Sequence, residues 1–123
     1  ARNYPERFQI LENKFIAYFQ GKMISFREQC LDISGVSLFS QAIWKACQTI
    51  PSGETRSYTW VAKKANYPEA PRAVGQSLAR NQFPIIVPCH RVVASNGKLH
   101  GFGGKSNLIE LKRRLLELEG VFI

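Results

Sequence analysis

Two side chains able to do nucleophilic chemistry stand next to each other in "IIVPCHRVV", residues 85–93: Cys89 and His90. A thiol attacks as thiolate, and a free cysteine, with a pKa of about 8.5, needs a nearby base or cation to reach that state near neutrality. Adjacent residues of an extended strand point to opposite faces. Cys89 and His90 therefore cooperate only if "PCHR" turns sharply, and Pro88 favours such a bend. These residues alone also allow a buried histidine beside an inert thiol, or a metal ligand. Cys30 and Cys47 have no such companion and read as structural.

A cysteine–histidine pair works best with a third group that orients the imidazole. The last stretch of chain offers Glu110, Glu117 and Glu119. Glu119 stands beside a helix-ending glycine and is the candidate to tuck inward, but spacing leaves all three open.

The chain around these residues has 123 positions and is 45% hydrophobic, enough for one domain with a core. No apolar run approaches the roughly 18 residues of a membrane span, and no apolar signal segment opens the sequence, so an intracellular location is expected. Seventeen Lys and Arg face nine Asp and Glu, a net charge of +8. Between Thr55 and Leu108 Glu69 is the sole acid, which centres the positive field on the middle of the chain and points to a polyanionic partner. Three cysteines without a C-x-x-C pair, and two histidines, give no structural zinc pattern; no metal or cofactor is expected.

Periodicity predicts the elements that must position the pair. Phe8, Leu11, Phe15 and Phe19 recur at helical spacing across residues 5–21, and "MISF" reads as extended. "SLFSQAIWKACQTI" is a helix capped by Ser37, with Phe39, Ile43, Ala46 and Ile50 on one face. "SYTWVAKKAN" is a short helix capped by Ser57, with Trp60, Val61 and Ala65 inward. After the break "YPEAP", "PRAVGQSLARN" starts another with a first-turn proline. Two helices joined by a tight connection form a helix-turn-helix pattern. Ala73, Gly75, Ser77 and Ala79 make the second of them narrow, either to pack on a neighbour or to admit a flat partner. Asn96-Gly97 signals a small hairpin or wing. A last helix, with Leu108, Leu111, Leu115 and Leu118 inward, ends at Gly120. The fold class is therefore mainly α with a small hairpin, a winged-helix-like helix-turn-helix domain.

The fragments "FSQAIWKAC", "IPSGETRSYTWVA", "PRAVGQSLARN", "PIIVPCHRVVASNGKLHGFGG" and "RRLLELEG" together resemble the C-terminal active domain of the O6-alkylguanine-DNA alkyltransferases, from about Leu38 to Gly120. The resemblance implies residues 37–123 as the active domain and residues 1–36 as a reduced N-terminal segment. It implies single-turnover transfer of an alkyl group from the guanine O6 to Cys89. His90 would be the base, acting through a bridging water. Glu119 would hold the histidine, Asn81 would fix the active turn, and Tyr58 would turn the 3′ phosphate and donate to O6. Arg72 would fill the stack vacated by the flipped base. Ala73, Gly75, Ser77 and Tyr58 would meet the minor groove of double-stranded DNA. Tyr58, Leu78, Val92, Phe102 and Gly103 would form the guanine pocket. A monomer without cofactor is implied, cytoplasmic or, in a eukaryote, nuclear. The chain departs from the family pattern at Ser77 (usually Ala), Gln82 (usually Pro) and Phe102-Gly103 (usually Tyr-Ser or Tyr-Arg).

Other readings weigh against this one. A non-catalytic damage-binding relative would replace the reactive cysteine, which is present. A plain helix-turn-helix regulator leaves "PCHRV" without a use, and a thiol hydrolase needs an oxyanion site and turnover.

Overall fold

The computed structural model describes residues 6–26, 32–95 and 106–122, and side chains within them except those of 6–8 and 106–108. The side chains of Phe8 and Leu108, and Cys30, the Asn96-Gly97 turn, Phe102 and Gly103, lie outside the described residues.

Among the described residues five helices and one pair of short strands follow in order: α1 (Glu6–Phe19), α2 (Leu38–Gln48), β1 (Arg56–Ser57), α3 (Tyr58–Lys64), α4 (Pro71–Ala79), β2 (Val92–Val93) and α5 (Ser106–Leu118). A single 3₁₀ turn, Cys89–Arg91, precedes β2. The caps follow the sequence. Ser37 accepts from the Ser40 N–H at 3.1 Å, and Ser57 accepts from the Trp60 N–H at 3.0 Å. Pro71 opens α4, where a missing N–H costs nothing. The connection between α3 and α4 turns at Asn66, whose φ of 68° lies in the left-handed region that asparagine tolerates.

The main core joins α2 to the helix-turn-helix. Ile43, Trp44, Ala46, Cys47 and Ile50 pack with Val61, Ala62, Ala65, Val74 and Leu78, and Val87, Cys89 and Val92 close the cluster. The segment that carries Cys89 is thus part of the core of the helix-turn-helix unit. A second cluster, Tyr18, Phe26, Ile86 and Leu115, fastens α1 and its following segment to the other side. β1 and β2 pair in parallel, Arg56 opposite Val92 and Ser57 opposite Val93. This pairing was not expected from the sequence, since two-residue strands carry no periodicity of their own. Residues 23–26, expected to be extended, form no regular element.

Two helical faces are rotated relative to expectation. On α1 Phe19 is 57% exposed and Tyr18 is buried at 1%. Leu11, Phe15 and Tyr18 make the inward stripe, because the i, i+4, i+7 spacing keeps to one face and the eighth position drifts off it. On α5 Leu111 is 46% exposed, and Lys112, Leu115 and Leu116 point inward. Leu115 and the half-buried Leu118 face inward as expected and Leu111 does not; the buried stripe also includes a lysine and reaches Glu119.

Ser77, expected at the DNA surface, is buried. Its hydroxyl donates to Ser40 Oγ at 2.8 Å, and its carbonyl accepts from Trp44 Nε1 at 3.1 Å. The pair satisfies two hydroxyls inside the core, which is why serine is stable where alanine is usual. Ser77→Ala leaves Ser40 without that donor and should cost about 1–2 kcal/mol in urea unfolding. The double change Ser40→Ala/Ser77→Ala should recover part of the loss. A fully additive double variant would show that the two hydroxyls do not interact.

Candidate active site

The thiol turn is built by its own backbone. The Cys89 N–H donates to the Val87 carbonyl at 2.8 Å and the Arg91 N–H to the Pro88 carbonyl at 2.9 Å. The Cys89 carbonyl accepts from Val92 as β2 begins. This bend brings Cys89 and His90 to one region, as the sequence requires. Upstream, Ile85 takes a φ of 75°, unusual for a β-branched side chain, and Pro84 bridges to Val87. Asn81 staples the loop. Its Nδ2 donates to the Val87 carbonyl at 2.9 Å and reaches Cys89 Sγ at 3.4 Å, while its Oδ1 accepts from the Phe83 N–H at 2.8 Å.

His90 is fully buried, and its Nε2 lies 2.7 Å from Glu119 Oε2. Among the three acids left open, the structure selects Glu119, whose side chain is 1% exposed; Glu110 pairs with Arg113 and Arg114 on the surface. Backbone geometry explains the choice. The Val121 N–H bonds to the Leu116 carbonyl and the Gly120 N–H to that of Glu117, with Gly120 at φ 90°. This paired closure at a left-handed glycine makes Glu119 the last residue carried by α5. A carboxylate at a helix C-terminus is unfavourable by itself, so it must be offset by donors.

Those donors are abundant. Arg91 Nε meets Glu119 Oε1 at 2.8 Å, Arg91 Nη2 meets Oε2 at 2.9 Å, and Arg91 Nη1 holds the Ile50 carbonyl at 2.7 Å. The Tyr18 hydroxyl donates to Oε2 at 2.5 Å. Burial works to raise the Glu119 pKa, but the bonds from His90, Arg91 and Tyr18 outweigh it and hold the carboxyl down at about 2. His90 goes the other way. Burial lowers its pKa below the ordinary value, and the pull of Glu119 compensates only in part. Burial thus favours the uncharged ring, whose Nδ1 is buried and without a hydrogen-bond partner among the described residues.

Burial likewise raises the Cys89 pKa, opposed by Asn81 and by the charge of Lys112. Burial thus disfavours the thiolate. Lys112 is 1% exposed, and burial brings its pKa down to about 8. Its Nζ donates to the Tyr58 hydroxyl at 3.5 Å and sits 5.7 Å from that ring's centre. A thiol, a neutral imidazole on an anchored carboxylate, and a phenol backed by an ammonium together suit displacement at an electrophilic carbon, with a donor for the leaving oxygen.

Of the residues singled out from sequence, Cys89, His90, Glu119 and Asn81 come together, with Tyr58 reaching the same region through Lys112. Arg72 is exposed on α4 and Ala73 half-buried. Gly75 faces Tyr58, yet a Cβ built there meets that ring only at 3.8 Å, an ordinary contact. Packing among the described residues does not demand glycine at this position. Leu78 and Val92 are buried in the core. Sequence reasoning missed Arg91, Lys112 and Tyr18. Each carried a signal: a cation inside an apolar run, a lysine three and seven residues before Leu115 and Glu119, and a tyrosine seven residues after Leu11. Among the described residues no group of three or more His, Cys, Asp or Glu is placed to hold a metal ion, and no helix is long and apolar enough to cross a membrane.

The family described as 6-O-methylguanine DNA methyltransferase, DNA binding domain, matches residues 38–121. A Methylated-DNA--protein-cysteine methyltransferase of Mycobacterium tuberculosis is 47% identical over 115 residues, covering 94% of this chain and 67% of the relative. One of Methanosarcina mazei is 44% identical over 112 residues, covering 91% of this chain and 68% of the relative. The crystal structure of Mycobacterium tuberculosis OGT in complex with DNA superposes with a TM-score of 0.81 at 42% identity, over 96% of this chain and 74% of that one. The family match runs without a break through the helix-turn-helix, the thiol turn and Glu119, and the chain is a member of the O6-methylguanine-DNA methyltransferase family.

Proposed function

We propose that this chain repairs alkylated DNA by moving the alkyl group from the O6 of guanine to Cys89 Sγ, once per molecule. The observation that carries the reading is the buried thiol turn, where Cys89 adjoins a His90 held by Glu119 within the core of a helix-turn-helix unit. His90 Nδ1 takes the thiol proton through a bridging water, and Glu119 stabilises the imidazolium that results. Sγ bonds to the alkyl carbon as the carbon–O6 bond breaks. The Tyr58 hydroxyl, polarised by Lys112, donates to the departing O6. The products are guanine and a thioether, which offers no leaving group for regeneration.

Guanine O6 is inaccessible inside a duplex, so the base is extruded at a cost of a few kcal/mol. Arg72, exposed at the start of α4, enters the gap. Gly75 and Ala73 lie toward a minor groove about 6 Å wide. Exposed Lys63, Lys64 and Arg80 on the flanking segments supply phosphate contacts. In this reading the chain acts as a monomer inside the cell, with residues 1–36 as an N-terminal segment closing one face and residues 37–123 as the active domain. Phe102 and Gly103, proposed for the guanine pocket, lie outside the described residues.

Incubation with a duplex oligonucleotide bearing O6-methylguanine, followed by intact and peptide mass, should add one methyl group, on Cys89. Label on Cys47 or Cys30 with none on Cys89 contradicts the assignment. Arg72→Ala should slow repair of duplex DNA about tenfold and leave reaction with free O6-benzylguanine within about twofold, since only the duplex needs extrusion. Equal losses on both substrates refute the stack-filling role.

Glu119 links chemistry to acid stability. Its folded pKa is depressed from 4.5 to about 2, so its contribution is fully present above about pH 4.5 and is lost as the pH falls toward 2. Glu119→Gln should melt lower at neutral pH, show a shallower loss of melting temperature across that acid window, and transfer benzyl more slowly. A variant that reacts at the wild-type rate would assign Glu119 to structure alone.

A further inference from the structure

Glu119 Oε2 accepts from two groups of the active turn and from one group outside it. His90 Nε2 lies at 2.7 Å and Arg91 Nη2 at 2.9 Å, while the third donor is the Tyr18 hydroxyl at 2.5 Å, from a helix 101 positions away in sequence. Tyr18 is 1% exposed and packs edge-on to Phe26, with Ile86 and Leu115 in the same cluster. Its ring is fixed from three sides, and its hydroxyl has a single direction to point. The phenol does not ionise at physiological pH, because burial and the adjacent Glu119 both raise its pKa. It is a permanent neutral donor on the oxygen that faces His90.

That placement has a chemical effect distinct from packing. Arg91 already fixes the plane of the carboxylate by taking both oxygens. A further donor on Oε2 withdraws charge from the lone pairs that attract the His90 proton. The weaker that attraction, the less imidazolium exists before reaction. The groups whose charge reaches His90 are Glu119 and Lys112 from α5 and Arg91 beside it, and Cys89 precedes it in the turn. Lys22 and Glu117 line the outer cleft around Tyr18 and Glu119 and are exposed. In this set Tyr18 is the donor that α1 contributes.

We infer that Tyr18 is a positioning residue for alkyl transfer: its hydroxyl holds Glu119 Oε2 as a weakened acceptor for the proton on His90 Nε2. The inference rests on the alkyl-transfer reading above. It gives the N-terminal segment a direct part in the chemistry, beyond closing the core.

The test compares wild type with Tyr18→Phe, which keeps the ring and loses one oxygen. Two quantities are followed from pH 4.5 to 8: the rate of benzyl transfer from O6-benzylguanine, and the ring nitrogen shifts of His90 by nuclear magnetic resonance. Without the donor, Glu119 attracts the imidazole proton more strongly. The His90 titration and the acid limb of the rate profile should both move up by about half to one pH unit, a threefold to tenfold loss of rate on that limb. Incorporation of 3,5-difluorotyrosine at position 18, a stronger donor of nearly the same shape, should move both the other way. A role in packing alone predicts a lower melting temperature with the His90 titration unmoved, and that result, in either variant, overturns the inference. So does a moved titration with an unmoved rate profile. Wild-type protein that never labels Cys89 would instead overturn the transfer reading itself, while the His90 titration would still report on Tyr18.

Discussion

One buried carboxylate organises this molecule. Glu119 collects four hydrogen bonds from three side chains, one on α1 and two in the thiol turn, and one of these, Arg91, also holds the Ile50 carbonyl just beyond α2. A negative charge withdrawn from water is costly unless fully paired. The pairing here adds a directional constraint to segments that the two apolar clusters already pack together. Remove any donor and the remaining charge is less well compensated, so the network tolerates little drift. The orientation of His90 is a by-product of that demand: the ring is one of the donors the carboxylate needs.

A preference for neutral groups follows from the same withdrawal from water. Burial favours the uncharged form of both the thiol and the imidazole, raising the Cys89 pKa and lowering that of His90. A pre-formed ion pair would expose a permanent thiolate to any passing electrophile or oxidant. In the proposed mechanism charge separates only when the substrate is present to use it. Lys112 contributes by the same logic, a cation with a pKa near 8 placed where thiolate and leaving oxygen would both carry charge.

Much of this was legible in the sequence, and the limits have physical causes. Caps, the first-turn proline and the α2 face were read correctly because each depends on local backbone chemistry. Cys89 and His90 announced themselves by type and adjacency. The third acid could not be chosen by spacing, because the choice between Glu110, Glu117 and Glu119 is made by the glycine closure of α5 and by Arg91, 28 residues away. Tyr18 and Lys112 were overlooked because a stripe was sought among aliphatic and phenylalanine side chains, whereas the buried positions carry a hydroxyl and an ammonium. Ser77 was placed on the wrong face because a small residue suits a groove and a core equally well; only Ser40 across α2 decides it.

The parallel pairing of Arg56–Ser57 with Val92–Val93 has a mechanical consequence. Ser57 is the cap from which α3 springs, and Val92 is the first residue beyond the turn that carries the thiol. Two rungs of backbone therefore tie the root of the reading head to the root of the reactive atom. In an instrument, two working parts are machined from a common datum edge when their separation must not depend on anything else. A displacement at the root of α3 would be passed through the ladder to the thiol turn, so that the two shift together.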